Sequence, residues 1–266
     1  MFAEVFMYRA EVESAALAAK KKFEFLKENP VGYFSLAMMA GFFVGITITF
    51  VYTVYAMFLQ AESTYGKFVM GLCFGIALSL VLMAGAELFT GSNFVMVVGM
   101  KFKYVTFAQT LLFWAVCWLG NFVGSAIIAL IFHFSGLQTG MVAEAIASAC
   151  LTKTTLAPQM IFLRGILCNF LVCIAVWCGI KMKSESGKLI MTFWCLLAFS
   201  TSGFEHCVAN MSLLVLGLLD PAGQTITVGG VVYNLAVSTI GNILGGAFFV
   251  AVPYLLTLKK QESTKV

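Results

Sequence analysis

The sequence predicts an all-α polytopic membrane protein with six transmembrane helices arranged as an inverted three-plus-three repeat. Its composition, six long apolar runs and a set of recurring motifs support this prediction. Of the 266 residues, 61% are hydrophobic and 11% are charged, whereas a soluble domain averages about 25% charged residues. So few charges cannot cover a water-facing surface, which excludes a soluble globule, a disordered chain and a nucleic-acid-binding protein with a basic face.

The first element is a charged N-terminal segment, residues 1–30, that ends at Pro30. It has acids scattered through it and no cleavable apolar core, so it is not a secretory signal peptide. A few apolar residues stand between the charges, namely Val5, Phe6, Val12 and Leu17. This pattern predicts an amphipathic helix on the cytoplasmic surface of the membrane.

The six apolar runs that follow form one predicted channel domain, residues 31–258, before a short cytoplasmic tail at 259–266. A helix needs about 20 apolar residues to cross a bilayer, and the runs cover residues 31–59, 67–100, 105–133, 157–180, 189–219 and 226–258. Several runs are longer than the bilayer is thick, so they must tilt, break or contain re-entrant pieces. We expect the breaks in spans 2 and 5, where glycine and polar residues interrupt the apolar pattern.

Basic residues set the predicted orientation. Thirteen of the 16 Lys and Arg residues precede span 1, follow span 6, or lie between spans 2 and 3 or spans 4 and 5. Because cytoplasmic loops carry an excess of Lys and Arg, both termini are predicted to be cytoplasmic. The longest loop, residues 135–156, is then outside.

Two motifs recur between the halves of the chain. The pattern G-N-x-x-G-small-A occurs at 120–126 and 241–247, and a G-x-E pattern followed by Asn occurs at 85–93 and 203–210. Three spans per half is an odd number, so the halves must cross the membrane in opposite senses, with the site near mid-membrane. Small-residue motifs that only pack helices together are the alternative. That alternative explains the glycines but not the recurring acid and amide.

Three ionisable residues lie within apolar runs: Glu87, Glu205 and His206. Burying such a group in a membrane costs at least a few kcal/mol unless it is paired or hydrated. Each acid stands where a helix can break, so a carboxylate could cap the backbone N–H groups that the break frees. Direct contact with a permeant is the alternative for both acids. For His206, a functional role stands against a histidine that is merely bonded to backbone at a helix break.

Lys153 stands almost alone in the long outer loop. It is either an ordinary surface lysine or, if the loop folds into a pore mouth, a residue that raises the local anion concentration. The eight cysteines show no zinc-ligand spacing, and the chain has no H-E-x-x-H motif. We therefore expect no metal, no cofactor and no enzymatic activity.

Spans 2 and 5 read GLCFGIALSLVLMAGAELFTGSN and LLAFSTSGFEHCVANM. These segments resemble the signature segments of the formate/nitrite transporter family, and G-F-E-H-x-x-A-N-M is the most specific part. The resemblance covers nearly the whole chain. It implies an aquaporin-like fold with spans 2 and 5 broken, a homopentamer with one pore per protomer, and a place in the bacterial cytoplasmic membrane. The implied partners are the lipid bilayer and small monovalent anions, with no nucleic acid.

The resemblance also implies roles for individual residues. Carried over by motif, the pore residues are His206, Thr90, Asn242 and the vestibule lysine Lys153. The apolar constrictions are Phe74 and Phe199 on the outer side and Leu78 and Leu88 on the inner side. The residues that support the helix breaks are Glu87, Glu205, Asn93 and Asn210.

The residues after Lys153 bear on the substrate. Formate-transporting members carry histidines there, whereas this chain has Thr154, Thr155 and Leu156, which favours the hydrosulfide branch. We expect a channel for weak-acid anions: hydrosulfide first, then formate, nitrite and acetate-like anions. Proton-coupled formate or nitrite transport is the alternative. A water or glycerol channel is more distant, because its Asn-Pro-Ala repeats are absent.

A dry chamber would impose a large desolvation cost on a bare anion. A weak-acid anion that gains a proton near His206 could cross as a neutral molecule, whereas chloride could not. The sequence leaves open whether His206 donates that proton or only forms a hydrogen bond with the permeant.

Overall fold

The computed structural model describes residues 8–258, and the regular secondary structure in this range is helical, without strands. This agrees with the predicted all-α class. The predicted tail 259–266 and the apolar residues Val5 and Phe6 lie outside the described residues. The helices are α1 Arg9–Glu28, α2 Pro30–Gln60, α3 Gly66–Phe74, α4 Ile76–Leu80, α5 Phe89–Lys101, α6 Phe107–Phe134, α7 Gly140–Thr155, α8 Pro158–Lys181, α9 Glu185–Thr201, α10 Cys207–Leu219, α11 Val228–Leu244 and α12 Val252–Leu256.

Within residues 8–258, five helical stretches are long and apolar enough to cross a membrane. They are Pro30–Gln60, Gly66–Gly85, Phe107–Phe134, Pro158–Lys181 and Val228–Leu256, and the apolar α10 is shorter. Two of the stretches include a π-helical segment, Val81–Gly85 or Gly245–Ala251. The predicted runs 67–100 and 189–219 are each divided by non-helical residues, so each consists of helical pieces of different length.

The amphipathic α1 has one face packed against other helices and the other face exposed. It begins after Tyr8 and ends at Glu28, and the side-chain oxygen of the following Asn29 accepts a hydrogen bond from the N–H of Gly32 at the start of α2. Its small apolar face is fully buried, mainly against α5, and contains Val12, Ala15, Ala16 and Ala19. The other face keeps charged residues in solvent, so the alternation of charge and apolar side chains gives the helix one docked side.

The glycines of the repeated G-N-x-x-G pattern lie where helices approach most closely. A Cβ at Gly124 would collide with the backbone of Met38, so α6 contacts α2 there without intervening side chains. A Cβ at Gly245 would collide with the backbone of Ile166, which brings the end of α11 equally close to α8. The same motif therefore produces the same close helix contact in each half of the chain.

Candidate functional site

Two breaks in the helices define the centre of the molecule. The first lies between Gly85 and Phe89, and the second between α9 and Cys207. Gly85 and Gly203 have φ angles of 82° and 73°, a left-handed conformation that glycine adopts without strain. The repeated G-x-E pattern thus marks the turn at which each helix stops and the chain becomes extended.

Asn121 holds the first break together. Its Oδ1 accepts a hydrogen bond from the N–H of Phe89 at 2.9 Å, and its Nδ2 donates to the carbonyls of Glu87 and Ala37, both at 2.8 Å. The side chain is fully buried. One amide therefore satisfies a freed N–H and a freed C=O of the interrupted helix, which would otherwise be costly to bury.

Asn242 has the same role at the second break. Its Oδ1 accepts from the N–H of Cys207 at 2.9 Å, and its Nδ2 donates to the carbonyls of Glu205 and Gly165, both at 2.8 Å. We predicted Asn242 as a pore residue, but both of its N–H groups are bonded to backbone. It has no donor left for a permeant, and its position is that of a backbone support.

The carboxylate of Glu205 is bonded to side chains rather than to the freed backbone N–H groups. Its Oε1 accepts from Lys153 Nζ at 2.8 Å, and its Oε2 accepts from Asn210 Nδ2 at 2.6 Å. The side chains of Lys153 and Glu205 are 18% and 2% exposed. The backbone-capping role predicted for this acid is therefore taken by an asparagine, and Lys153 is part of a buried ion pair rather than a free surface lysine.

Glu87 is also paired with a lysine, in the first half of the chain. Its Oε1 is paired with Lys22 Nζ, which α1 supplies. Among the described residues no partner is present for its buried Oε2. Lys22 was not predicted as a site residue, because a run of three lysines before a span indicates only orientation. The repeat offered a clue, since a lysine for one acid suggests a lysine for the other, although α1 and α7 have different sequences.

Asparagines surround both breaks. Asn169 Nδ2 donates to Asn93 Oδ1 at 2.8 Å and to the carbonyl of Asn242 at 2.6 Å. Asn210 Nδ2 also donates to Asn234 Oδ1, at 2.8 Å. The predicted support residues Asn93 and Asn210 are thus buried beside the breaks. Asn169 and Asn234 were missed, because a single asparagine in an apolar run carries no distinctive signal.

His206 occupies the residue before α10 and makes two hydrogen bonds. Its Nδ1 accepts from the N–H of Ala209 at 3.0 Å, and its Nε2 lies 3.0 Å from Thr90 Oγ1. Because Nδ1 is an acceptor, the proton of the neutral ring is assigned to Nε2, which donates to Thr90. A proton on Nδ1 would face the Ala209 N–H donor, so these contacts oppose the charged imidazolium. The half-helices α5 and α10 meet through this bond.

A small chamber lies beside His206. Its volume is about 10 Å³, close to the space that one water needs. Apart from His206 its lining is apolar, and it includes all four predicted constriction residues, Phe74, Leu78, Leu88 and Phe199. The rings of Phe74 and Phe199 meet edge to face with centroids 5.3 Å apart. These side chains leave no room for a hydrated ion.

Two wider cavities lead from the Lys153 side towards the chamber. The cavity nearer the chamber has a volume of about 60 Å³ and is lined by Lys153, Phe199 and His206 among others. The cavity farther from the chamber, the vestibule, has a volume of about 630 Å³, and its lining includes Lys67, Lys153, Arg164 and Glu205. The described residues thus place a charged vestibule, an aromatic constriction and an apolar chamber in sequence. This order suits selective passage of a small solute.

Comparison with known proteins gives the same picture over nearly the whole chain. The sequence model described as "Formate/nitrite transporter" matches residues 9–256. The nitrite transporter NirC of Salmonella typhimurium is 36% identical over 96% of this chain and 94% of its own length. The formate channel FocA of Haemophilus influenzae is 33% identical over 82% of this chain and 84% of its own.

Solved structures agree in fold. A chain described as an FNT family ion channel superimposes with a TM-score of 0.89 at 34% identity, covering 94% of this chain and 99% of that one. A chain described as a pentameric formate channel with formate bound gives a TM-score of 0.72 at 26% identity, covering 86% and 98%. The helical architecture is therefore shared with membrane channels.

Proposed function

The chain belongs to the formate/nitrite transporter family, and we propose that it forms a channel for small monovalent anions of weak acids, nitrite and formate among them. It is a multi-pass membrane transport protein rather than an enzyme. The observation that carries the proposal is the His206–Thr90 hydrogen bond at the edge of an apolar chamber about one water in size. A chamber of this kind accepts a small molecule that loses its hydration shell and then finds a hydrogen-bonding group.

We further propose six spans in an aquaporin-like inverted repeat. Span 2 would combine α3 and α4, before the first break, with α5 after it. Span 5 would combine α9, before the second break, with α10 after it. Support comes from the matching contacts of Asn121 and Asn242 with their breaks. The proposed assembly is a homopentamer in a bacterial cytoplasmic membrane, with both termini in the cytoplasm.

The two lysine–glutamate pairs supply the proposed anion attraction. Lys153 Nζ donates one hydrogen bond to Glu205, and its side chain lines both the vestibule and the cavity nearer the chamber. An ammonium has three N–H donors, so the remaining ones are available to an anion. Lys22 has the corresponding place beside Glu87. In this proposal each lysine holds an anion at one mouth while its glutamate keeps the binding weak enough for release.

The chamber then selects by proton affinity. A bare anion leaving water for an apolar space pays a large desolvation cost, whereas its conjugate acid is neutral and pays far less. His206 holds its one ring proton on Nε2, and loss of that proton would leave an anionic ring. We propose that the proton reaches the anion from water in the vestibule. His206 and Thr90 then form hydrogen bonds with the neutral acid as it passes.

Flux into proteoliposomes tests this function. Nitrite, formate, hydrosulfide and chloride are supplied at two pH values, and proton movement is followed in the same vesicles. Weak-acid anions should enter with protons, faster at the lower pH, and chloride should enter far more slowly. Equal rates for chloride and nitrite would contradict selection by proton affinity, and no flux of any anion would contradict the channel itself.

Hydrosulfide remains a second candidate substrate because of the residues after Lys153. Thr154 and Thr155 donate their hydroxyls to helix carbonyls, and neither is a titratable residue. Hydrosulfide flux well above nitrite flux in the same vesicles would identify it as the preferred substrate.

A further inference from the structure

Arg164 lines the vestibule in the first turns of α8. Its side chain is partly exposed, and among the described residues no hydrogen bond or ion pair engages its guanidinium. Of the two acids on the vestibule wall, Glu205 is already bonded to Lys153 and Asn210, and Glu144 is exposed. The Arg164 guanidinium therefore has five N–H donors for which the described residues supply no acceptor.

The backbone at Arg164 is held firmly beside the second break. Its carbonyl accepts the N–H of Glu205 at 3.3 Å, and the next carbonyl, of Gly165, accepts from Asn242 at 2.8 Å. In the first half of the chain the corresponding bond runs from the N–H of Glu87 to the carbonyl of Leu36. A leucine thus meets the structural requirement at this position, so the fold does not require an arginine there.

We propose that Arg164 selects two-oxygen anions such as nitrite and short carboxylates by donating two parallel N–H bonds in the vestibule. The inference rests on the proposed function and names the substrate class that its vestibule prefers. A guanidinium fork matches the two oxygens of a bent or planar oxyanion. Hydrosulfide has a single acceptor atom and gains only the charge attraction, as chloride does. Leu36 gives the opposite mouth no such fork, so the preference belongs to the Lys153 side.

Concentration-dependent flux of nitrite, formate and hydrosulfide into proteoliposomes tests this inference. Arg164→Lys keeps the positive charge but loses the fork, and Arg164→Gln loses both. Lys67→Gln is the matched control, because Lys67 is another vestibule cation and is exposed. Arg164→Lys should raise the half-saturating concentrations of nitrite and formate about fivefold and leave that of hydrosulfide unchanged. Lys67→Gln should shift all three anions equally and by less.

Two outcomes would overturn the role of Arg164. One is that Arg164→Lys leaves nitrite and formate unchanged, and the other is that it shifts all three anions by the same factor. In either case the wild-type protein would still transport these anions, so the proposed function would not be contradicted. Absence of wild-type flux of every anion would instead contradict the proposed function. Arg164→Lys conserves length and charge at a partly exposed site, so the test does not depend on the more disruptive glutamine variant.

Discussion

His206 makes two hydrogen bonds that together assign its single ring proton. Nδ1 accepts from the Ala209 N–H and begins α10, while Nε2 is directed at Thr90. The structural role expected for this histidine is carried by Nδ1, and Nε2 is the ring nitrogen that the proposed pore role would use. The assignment makes the Nε2–H the one ring donor of the neutral histidine, and it is bonded to Thr90.

The variant His206→Asn separates these two functions. Asparagine is a good N-cap, so α10 should still begin correctly and the protein should assemble. Its shorter side chain does not reach Thr90, so the ratio of nitrite to chloride flux should fall about tenfold. The measurement is flux of both anions in proteoliposomes. Thr90→Val is the matched control and should lower the ratio similarly. An unchanged ratio in both variants would make the His206–Thr90 bond purely structural.

The Lys153–Glu205 pair predicts a clear double-variant result. Lys153→Met leaves a carboxylate that is 2% exposed without its cation, and breaking a buried pair in this way costs about 3–5 kcal/mol. Thermal unfolding in detergent should therefore occur at a clearly lower temperature. Combining it with Glu205→Gln removes the stranded charge and should recover most of the loss. If the double variant unfolds at no higher temperature than Lys153→Met, the pair does not stabilise the fold electrostatically.

At the scale of elements, the two helix breaks depend on amides from neighbouring helices. Asn121 on α6 and Asn242 on α11 each satisfy one freed N–H and two carbonyls. Burial in an apolar surrounding makes every lost partner expensive. The breaks are therefore fixed features of the fold rather than flexible segments.

Replacing either amide should weaken the protein to a similar extent. Asn242→Leu leaves the Cys207 N–H and two carbonyls without partners, which costs about 1–3 kcal/mol for each buried group. Asn121→Leu does the same at the first break. Thermal unfolding of both variants measures the effect, and His133→Leu at the end of α6 is a control that should change little. If only one of the two variants lowered the unfolding temperature, the two breaks would not be equivalent in stability.

The helix α1 supplies Lys22 to the first break, and the adjacent Lys21 provides a matched control. Lys22 pairs with Glu87, whereas Lys21 is exposed. Lys22→Ala should reduce anion flux at low concentration and lower the unfolding temperature, because it leaves a mostly buried carboxylate unpaired. Lys21→Ala removes the same charge from the same helix and should do neither. Equal effects of the two variants would reduce Lys22 to a general contributor of positive charge.

At the scale of the whole molecule, many large apolar side chains remain exposed on the protomer. They include Leu112, Ile131, Phe134 and Val232, each more than half exposed. Such a surface must meet lipid or other protomers. The pentamer predicted from the family should give five copies by mass measurement in mild detergent, and a monomer or tetramer would contradict it.

The sequence by itself determined the membrane class and the repetition of motifs between the two halves of the chain. Composition and run length are local properties, so they report burial in lipid without any knowledge of contacts. The motifs also marked where each helix stops, because a glycine and a following acid have few other uses in an apolar run. The four constriction residues came from the resemblance, and the structure places all of them around one cavity.

Only the tertiary structure decided which groups pair. The assignment of Lys22 to Glu87, the support of the breaks by Asn121 and Asn242, and the position of the His206 proton all depend on groups far apart in the chain. A carboxylate or an amide accepts bonds from any suitable donor within reach, and the sequence does not state which donors folding brings near. Hydrogen bonding is short-ranged and directional, so its partners are fixed only when the helices have packed.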